Sequence, residues 1–191
     1  MPRFPLLEQL TLPATFSHYV PGNLHPDGHR YLPLLLWKLA NGLEIGIVDR
    51  HHIIDPSCVG EQGEIGIVFL LSTITLQPPD MQRQGLEPER RSAGRVSTAP
   101  AAYGRVLHVP SWEEERGNLS YEYLYTELLL DIGLGIVGVR TAMTATDLQS
   151  TLGKERLEAG DWITVGQSRI DILQFSPRVQ RLPQGGAHEH A

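Results

Sequence analysis

The residues with the clearest capacity for chemistry are four potential metal ligands close together in the chain, His51, His52, Asp55 and Cys58. Imidazole, carboxylate and thiolate groups all bind zinc, and one loop can bring three of them onto an ion. Cys58 with a histidine would also form the thiol–imidazole pair that nucleophilic catalysis requires. However, adjacent histidines on a strand point to opposite faces, and the spacing matches no standard zinc motif. We therefore expect surface histidines and a buried, inert cysteine, with a metal-dependent enzyme as the alternative.

A glycine-rich segment, Gly133-Leu134-Gly135-Ile136-Val137-Gly138, matches the pattern of dinucleotide-binding loops. That pattern binds a pyrophosphate only when a helix follows it within a strand–helix–strand unit. The residues from Val139 to Thr146 are rich in threonine and poor in strong helix formers. We therefore predict a strand whose glycines permit close packing, and we expect no cofactor.

Two further groups of ionisable residues are assigned to solvated turns. His25 and His29 flank Pro26-Asp27-Gly28, which is a turn sequence. Glu113, Glu114 and Glu115 are three successive acids before Gly117, and such runs are usually solvated. Neither group is expected to carry chemistry, so the sequence gives no support for an enzyme.

Three tyrosines at every second position, Tyr121, Tyr123 and Tyr125, would share one face of a strand. Such a face could stack the bases of a nucleic acid, but that function also needs a cationic groove. Glu122 and Glu127 lie beside the tyrosines instead. Because tyrosine is enriched at protein interfaces, we predict that these three residues contact another protein.

Composition limits the class of protein. The 191 residues include 16 Lys and Arg against 22 Asp and Glu, which gives a net charge of −6 and argues against a broad nucleic-acid-binding surface. The hydrophobic share of 41% is sufficient for a folded core. No apolar run is long enough to span a membrane, and the N-terminus lacks the pattern of a signal peptide. We expect a soluble, acidic, cytoplasmic protein with no membrane partner.

Short strands account for most of the apolar pattern. Asn41-Gly42 joins Leu34–Leu39 to the alternating residues 43–50 and predicts a hairpin, although a helix over 32–40 fits the first run equally well. A second strand from Ile65 extends as far as Leu76. The remaining predictions are a short helix capped at Thr146-Asp147 and ended by Gly153, and a closing hairpin formed by 162–165 and 168–175.

These elements predict a mainly β, antiparallel fold with one or two small barrel-like modules, OB-like or Greek-key, and one short helix. The stretch 78–101 has few large apolar residues to bury and therefore indicates a mobile linker or long loop. A faint echo of the words around Gly22 and Leu34 recurs around Gly117 and Leu128, as a duplication would produce. The predicted organisation is an N-terminal β module at 15–77, the linker, a C-terminal β module at 102–176 and a polar tail at 177–191.

The function indicated by these features is that of a non-catalytic protein-binding or assembly module. The expected partner is another protein that contacts Tyr121, Tyr123 and Tyr125. The alternative is a metal-dependent enzyme that uses zinc or another divalent metal at the loop of His51, His52, Asp55 and Cys58. Oligomeric state and partner identity are not encoded in any recognisable pattern.

Overall fold

The computed structural model describes residues 6–89, 96–110, 126–166 and 168–178. Within these ranges the chain forms eleven strands, one α-helix and two short 3₁₀ turns, Leu7–Gln9 and Pro56–Cys58. The fold is therefore mainly β, as predicted. In chain order the elements are β1 (Leu12–Val20), β2 (Leu34–Leu39), β3 (Glu44–Val48), β4 (Gln62–Leu70), β5 (Thr73–Leu76), β6 (Gly85–Glu87), β7 (Ala101–His108), β8 (Thr126–Asp131), β9 (Ile136–Thr141), α1 (Ala145–Leu152), β10 (Trp162–Gly166) and β11 (Arg169–Pro177).

The hairpin of β2 and β3 confirms the prediction from Asn41-Gly42. Gly42 has a φ of +85°, and the Asn41 side chain accepts the Leu43 N–H at 3.0 Å, so both residues supply the chemistry of a tight turn. The pairing of β2 with β3 from Leu34 to Lys38 excludes the alternative helix over 32–40.

Helix α1 confirms the predicted helix and corrects its first residue. The N-cap is Thr144, whose side chain accepts the Asp147 N–H, and Asp147 in turn accepts the Thr144 N–H to form a capping box. Gly153 ends the helix at a φ of +73°, as expected. Thr146, predicted as the cap, lies inside the first turn because the true cap stands two residues earlier.

The strands form two barrel-like modules of similar topology within one sheet whose strand path stays open. The N-terminal module consists of β1, β2, β3, the first part of β4, and β11. The C-terminal module consists of β7, β8, β9, β10, the end of β4, and β5. Almost every pairing is antiparallel, while β4 and β9 pair in parallel over three residues.

The two modules repeat each other in detail. β1 has a bulge between Phe16 and His18, and β7 has a bulge at the matching place, between Val106 and His108. Phe16 exchanges backbone hydrogen bonds with residues 60 and 61, and Val106 does the same with residues 160 and 161. Within the described residues, the echo of Leu34-Leu35-Leu36 at Leu128-Leu129-Leu130 falls on the matching strands, β2 and β8.

A long antiparallel ribbon joins the modules. One side of it is β4 followed by β5, and the other is β10 followed by β11. Leu70 pairs with Arg169, and Thr73 pairs with Gly166. Each side therefore advances by three residues between these two pairs, and the register of the ribbon is kept where β4 ends and β5 begins. Each module thus receives a strand from the other half of the sequence. The predicted closing hairpin is wrong, because β10 and β11 pair with β5 and β4 and follow one another along the same side of the ribbon.

The core is continuous between the modules. One cluster of buried side chains includes Phe16 and Trp37 from the first module, Phe69 from the ribbon, and Leu130 and Val165 from the second. Trp37 stacks on Phe16 with ring centroids 4.6 Å apart and meets the edge of Phe175 at 5.0 Å. Apolar contacts therefore connect β11 to β2, in addition to the backbone pairing of β11 with β4.

The stretch 78–101 is described except for residues 90–95. β6 pairs with β7, and Leu86 is buried in the core. The Ser97 carbonyl accepts the Gly46 N–H at 2.8 Å, which adds a short bridge along β3. These parts of the stretch belong to the sheet, and residues 90–95 lie outside the described residues. The polar tail beyond Arg178 lies outside the described residues.

The glycine-rich segment serves packing rather than nucleotide binding. Gly133 turns the chain at a φ of +74°, and a Cβ on Gly135 would lie 2.3 Å from the Thr11 carbonyl oxygen. The segment leads into β9, and α1 begins only after that strand. In the described part of the chain, α1 has eight residues and no helix is long and apolar enough to cross a bilayer.

Candidate functional site

The loop between β1 and β2 displays a group of exposed apolar side chains. Four of the nine large apolar residues that are exposed in the described ranges lie between positions 20 and 32. They are Val20, Leu24, Tyr31 and Leu32, and we call them the loop surface; Leu24 and Tyr31 are 61% and 55% exposed. Such a concentration of exposed apolar side chains is unusual on a protein surface that contacts only water.

This loop has a defined backbone. The Tyr31 N–H donates to the Asn23 carbonyl at 2.9 Å, and Leu24 and Arg30 form an antiparallel bridge. Gly22 is packed so closely against Tyr31 that a Cβ would overlap the Tyr31 carbonyl. The loop surface is consequently held in place before any partner arrives.

Two histidines and an aspartate meet at the tip of the same loop. The Nδ1 atoms of His25 and His29 lie 2.8 and 2.5 Å from the same Asp27 carboxylate oxygen, Oδ1. The imidazole rings stack with centroids 4.6 Å apart, and Tyr31 presents an edge contact to both. Asp27 also accepts the His29 N–H, and this backbone hydrogen bond is the main cause that lowers the Asp27 pKa. The sequence correctly predicted the turn but not the convergence of the side chains.

The four residues of the predicted metal loop have separate structural tasks. Asp55 accepts the Ser57 N–H at 2.8 Å and caps the turn Pro56–Cys58, which lowers the Asp55 pKa. His51 points its Nε2 towards Asp171 at 3.9 Å, and His52 occupies a turn position with a φ of +50°. Among the described residues, the structure does not bring three of these four side chains together as ligands.

Cys58 packs against the main core as a partly buried residue. Burial raises the pKa of its thiol, and the nearby carboxylates of Glu61 and Asp55 raise it further. A raised pKa reduces the thiolate fraction at neutral pH, which is the opposite of what a nucleophile or zinc ligand needs.

We expect Cys58 in the folded protein to react with iodoacetamide more slowly than an unperturbed thiol at the same pH. Removing the negative charge in Glu61→Gln should speed the reaction and move its pH midpoint downward, because the thiolate then meets less repulsion. Alkylation rates followed by mass spectrometry between pH 7 and 10 measure this. A midpoint below that of a reference peptide would contradict the structural assignment.

An ion cluster beside the predicted metal loop was not foreseen. Asp171 of β11 is 2% exposed and accepts hydrogen bonds from Arg50 and Arg169, each at 3.1 Å. Arg50 follows β3, so the cluster fastens the loop after β3 to β11 across the N-terminal module. Arg50 and Asp171 are 121 residues apart in the sequence, and local sequence patterns carry no information about a pair at this separation.

An open cavity of about 500 Å³ lies at the end of the N-terminal module that contains the start of β4. Its charged lining residues are Lys38 and Arg178, both cationic, and its polar lining includes Thr15 and Gln62. Local sequence patterns do not predict this cavity, because its walls come from β1, β2, β4 and the residue after β11.

The predicted contact residues Tyr121, Tyr123 and Tyr125 lie outside the described residues. In chain order they fall between β7 and β8, which is the connection that corresponds to the β1–β2 loop of the other module. Their role therefore stays a prediction.

Comparison with known proteins gives limited information. No family model matches the chain, and no curated protein matches it. One solved structure with a similar arrangement is described as a cytoplasmic molybdate-binding protein, ModG, with molybdate bound. It shares 12% sequence identity, with a TM-score of 0.42, over 85% of this chain and 93% of the other. This degree of likeness carries no argument about the function of the present chain.

Proposed function

We propose that the protein is a non-catalytic binding module that contacts another protein through the loop surface. The observation that supports this most directly is the concentration of exposed apolar residues at Val20, the last residue of β1, and at Leu24, Tyr31 and Leu32 of the following loop, whose backbone is hydrogen-bonded. Exposed apolar residues of this kind gain free energy when a partner removes them from water. A preformed loop also loses less conformational entropy on binding than a flexible one.

The charges around the loop surface are few and mixed. The loop contains one acidic residue, Asp27, and one basic residue, Arg30, and Tyr31 offers a ring and a hydroxyl group on the same side chain. Central aromatic and apolar anchors with a polar rim are typical of protein contacts. Within the described ranges, the predicted catalytic alternative has less support, because Cys58 is disfavoured as a thiolate and its neighbours are engaged elsewhere.

The experiment compares capture of partner proteins by three versions of the full chain. One is unchanged, one carries Leu24→Ser with Tyr31→Ser, and a matched control carries Val59→Ser with Met81→Ser, two exposed apolar residues outside the loop. We expect the loop variant to lose a specific partner by about thirtyfold in affinity, as for one hot spot of about 2 kcal/mol. The control should retain it, and all three should melt at similar temperatures.

Equal retention of every partner by the loop variant and the control would refute the assignment. A further pair of substitutions, Tyr123→Ser with Tyr125→Ser, tests whether the corresponding connection of the C-terminal module contributes to the same contact.

A further inference from the structure

We propose that His25, Asp27 and His29 bind one divalent transition-metal ion, of the zinc class, at the tip of the β1–β2 loop. The three side chains each direct one ligand atom to a common place, and these atoms all lie within 4.8 Å of one another. Among the residues that the structure describes, they form the one group of three histidine, cysteine or acidic side chains with this property.

The distances between the donors are close to those of a bound ion. Ligands about 2.0–2.1 Å from a tetrahedral zinc lie roughly 3.4 Å apart. In the structure both Nδ1 atoms already lie within 3 Å of Asp27 Oδ1. A small outward movement of the rings would therefore admit the ion and replace two hydrogen bonds with coordinate bonds.

The backbone holds the donors in this arrangement. The His25 N–H donates to the His29 carbonyl at 2.7 Å, and Gly28 closes the turn at a φ of +95°. Pro26 restricts the residue between the first two ligands. Because these hydrogen bonds already define the backbone of the turn, binding does not need to order the loop from a flexible state.

The ligand types select the class of metal. Two imidazoles and one carboxylate suit zinc, nickel, copper or cobalt, whereas magnesium and calcium favour sites made of oxygen atoms. Three protein ligands on an exposed loop leave at least one coordination position for water. Tyr31 of the loop surface contacts both histidine rings but supplies none of the three ligand atoms, so the proposal does not depend on the proposed function.

The test is titration of the full chain with zinc chloride by calorimetry, and with cobalt chloride by visible absorption. All versions carry His188→Ala and His190→Ala, which removes the histidines of the C-terminal tail. We expect one equivalent of zinc, and cobalt bands that report nitrogen and oxygen ligands. His25→Ala with His29→Ala should weaken zinc binding at least about tenfold, because two coordinate bonds are lost.

Two further versions act as controls. His18→Ala with His108→Ala removes the same number of exposed imidazoles from β1 and β7 and should keep full binding. Asp27→Asn preserves an acceptor for the turn but removes the charge, and it should weaken binding without changing the melting temperature of the metal-free protein.

The proposal fails if zinc binds with less than one equivalent to the starting version, or if the His25/His29 substitutions leave its affinity unchanged. Magnesium binding equal to that of zinc would also contradict it. Since these measurements need no partner protein, their outcome is separate from the capture experiment with Leu24 and Tyr31.

Discussion

A chain that ends after Gly166 will lose cooperative unfolding, whereas a chain that ends after Arg178 will unfold like the full-length protein. The shorter chain lacks β11, the strand that the C-terminal half supplies to the N-terminal module. Ile170, Ile172 and Leu173 would no longer be buried. At about 1.5–3 kcal/mol for each buried aliphatic side chain, the loss is roughly 5–9 kcal/mol. That amount is comparable with the whole stability of a typical domain, about 5–15 kcal/mol.

Urea denaturation followed by fluorescence and circular dichroism measures this effect. The chain that ends after Arg178 is the control, because it removes only residues outside the described fold. If the shorter chain keeps a single transition at the same urea concentration, the N-terminal module is complete without β11 and the described strand exchange is wrong.

Trp37→Ala should destabilise the protein by about 3–5 kcal/mol, as for other large aromatic residues removed from a core. Trp37 is fully buried and contacts Phe16 and Phe175, so the cavity would lie where β1, β2 and β11 meet. Trp37→Phe should cost much less, under about 1.5 kcal/mol. Among the described residues, no group accepts a hydrogen bond from the buried indole N–H, and phenylalanine removes that donor together with part of the ring.

Free energies of unfolding from urea titrations distinguish the two substitutions. A Trp37→Phe variant as unstable as Trp37→Ala would mean that the indole N–H has a partner and that its satisfaction stabilises the core.

Local sequence patterns predicted the elements well where the determining contacts are local. Asn41-Gly42 specifies a hairpin because Gly42 adopts a positive φ and the Asn41 side chain accepts the Leu43 N–H. Gly153 and the acidic residue Asp147 likewise delimit α1 through groups within one helical turn. Even there, the cap was misplaced by two residues because Thr144 and Thr146 have the same side chain.

The pairing of distant strands could not be obtained in the same way. Glycine near position 166 suggested a reversal, but the chain continues along the ribbon and its partners are found about a hundred residues earlier. The same limit applies to the Asp171 cluster. His25 and His29 are close in the sequence, but a turn sequence does not specify that both Nδ1 atoms meet one oxygen of Asp27.

The exchange of strands between modules also determines when the N-terminal module can be completed during synthesis. The synthesis of β1 to β4 is complete once Leu70 has been added, but the synthesis of β11 is complete only at Pro177. At about 5–20 residues per second, the ribosome needs roughly 5–20 s to make the intervening residues. During that interval β4 has an unpaired edge and Trp37 lacks the ring of Phe175 above it. The nascent chain therefore passes through a period in which β1 to β4 have been synthesised but the N-terminal module still lacks β11.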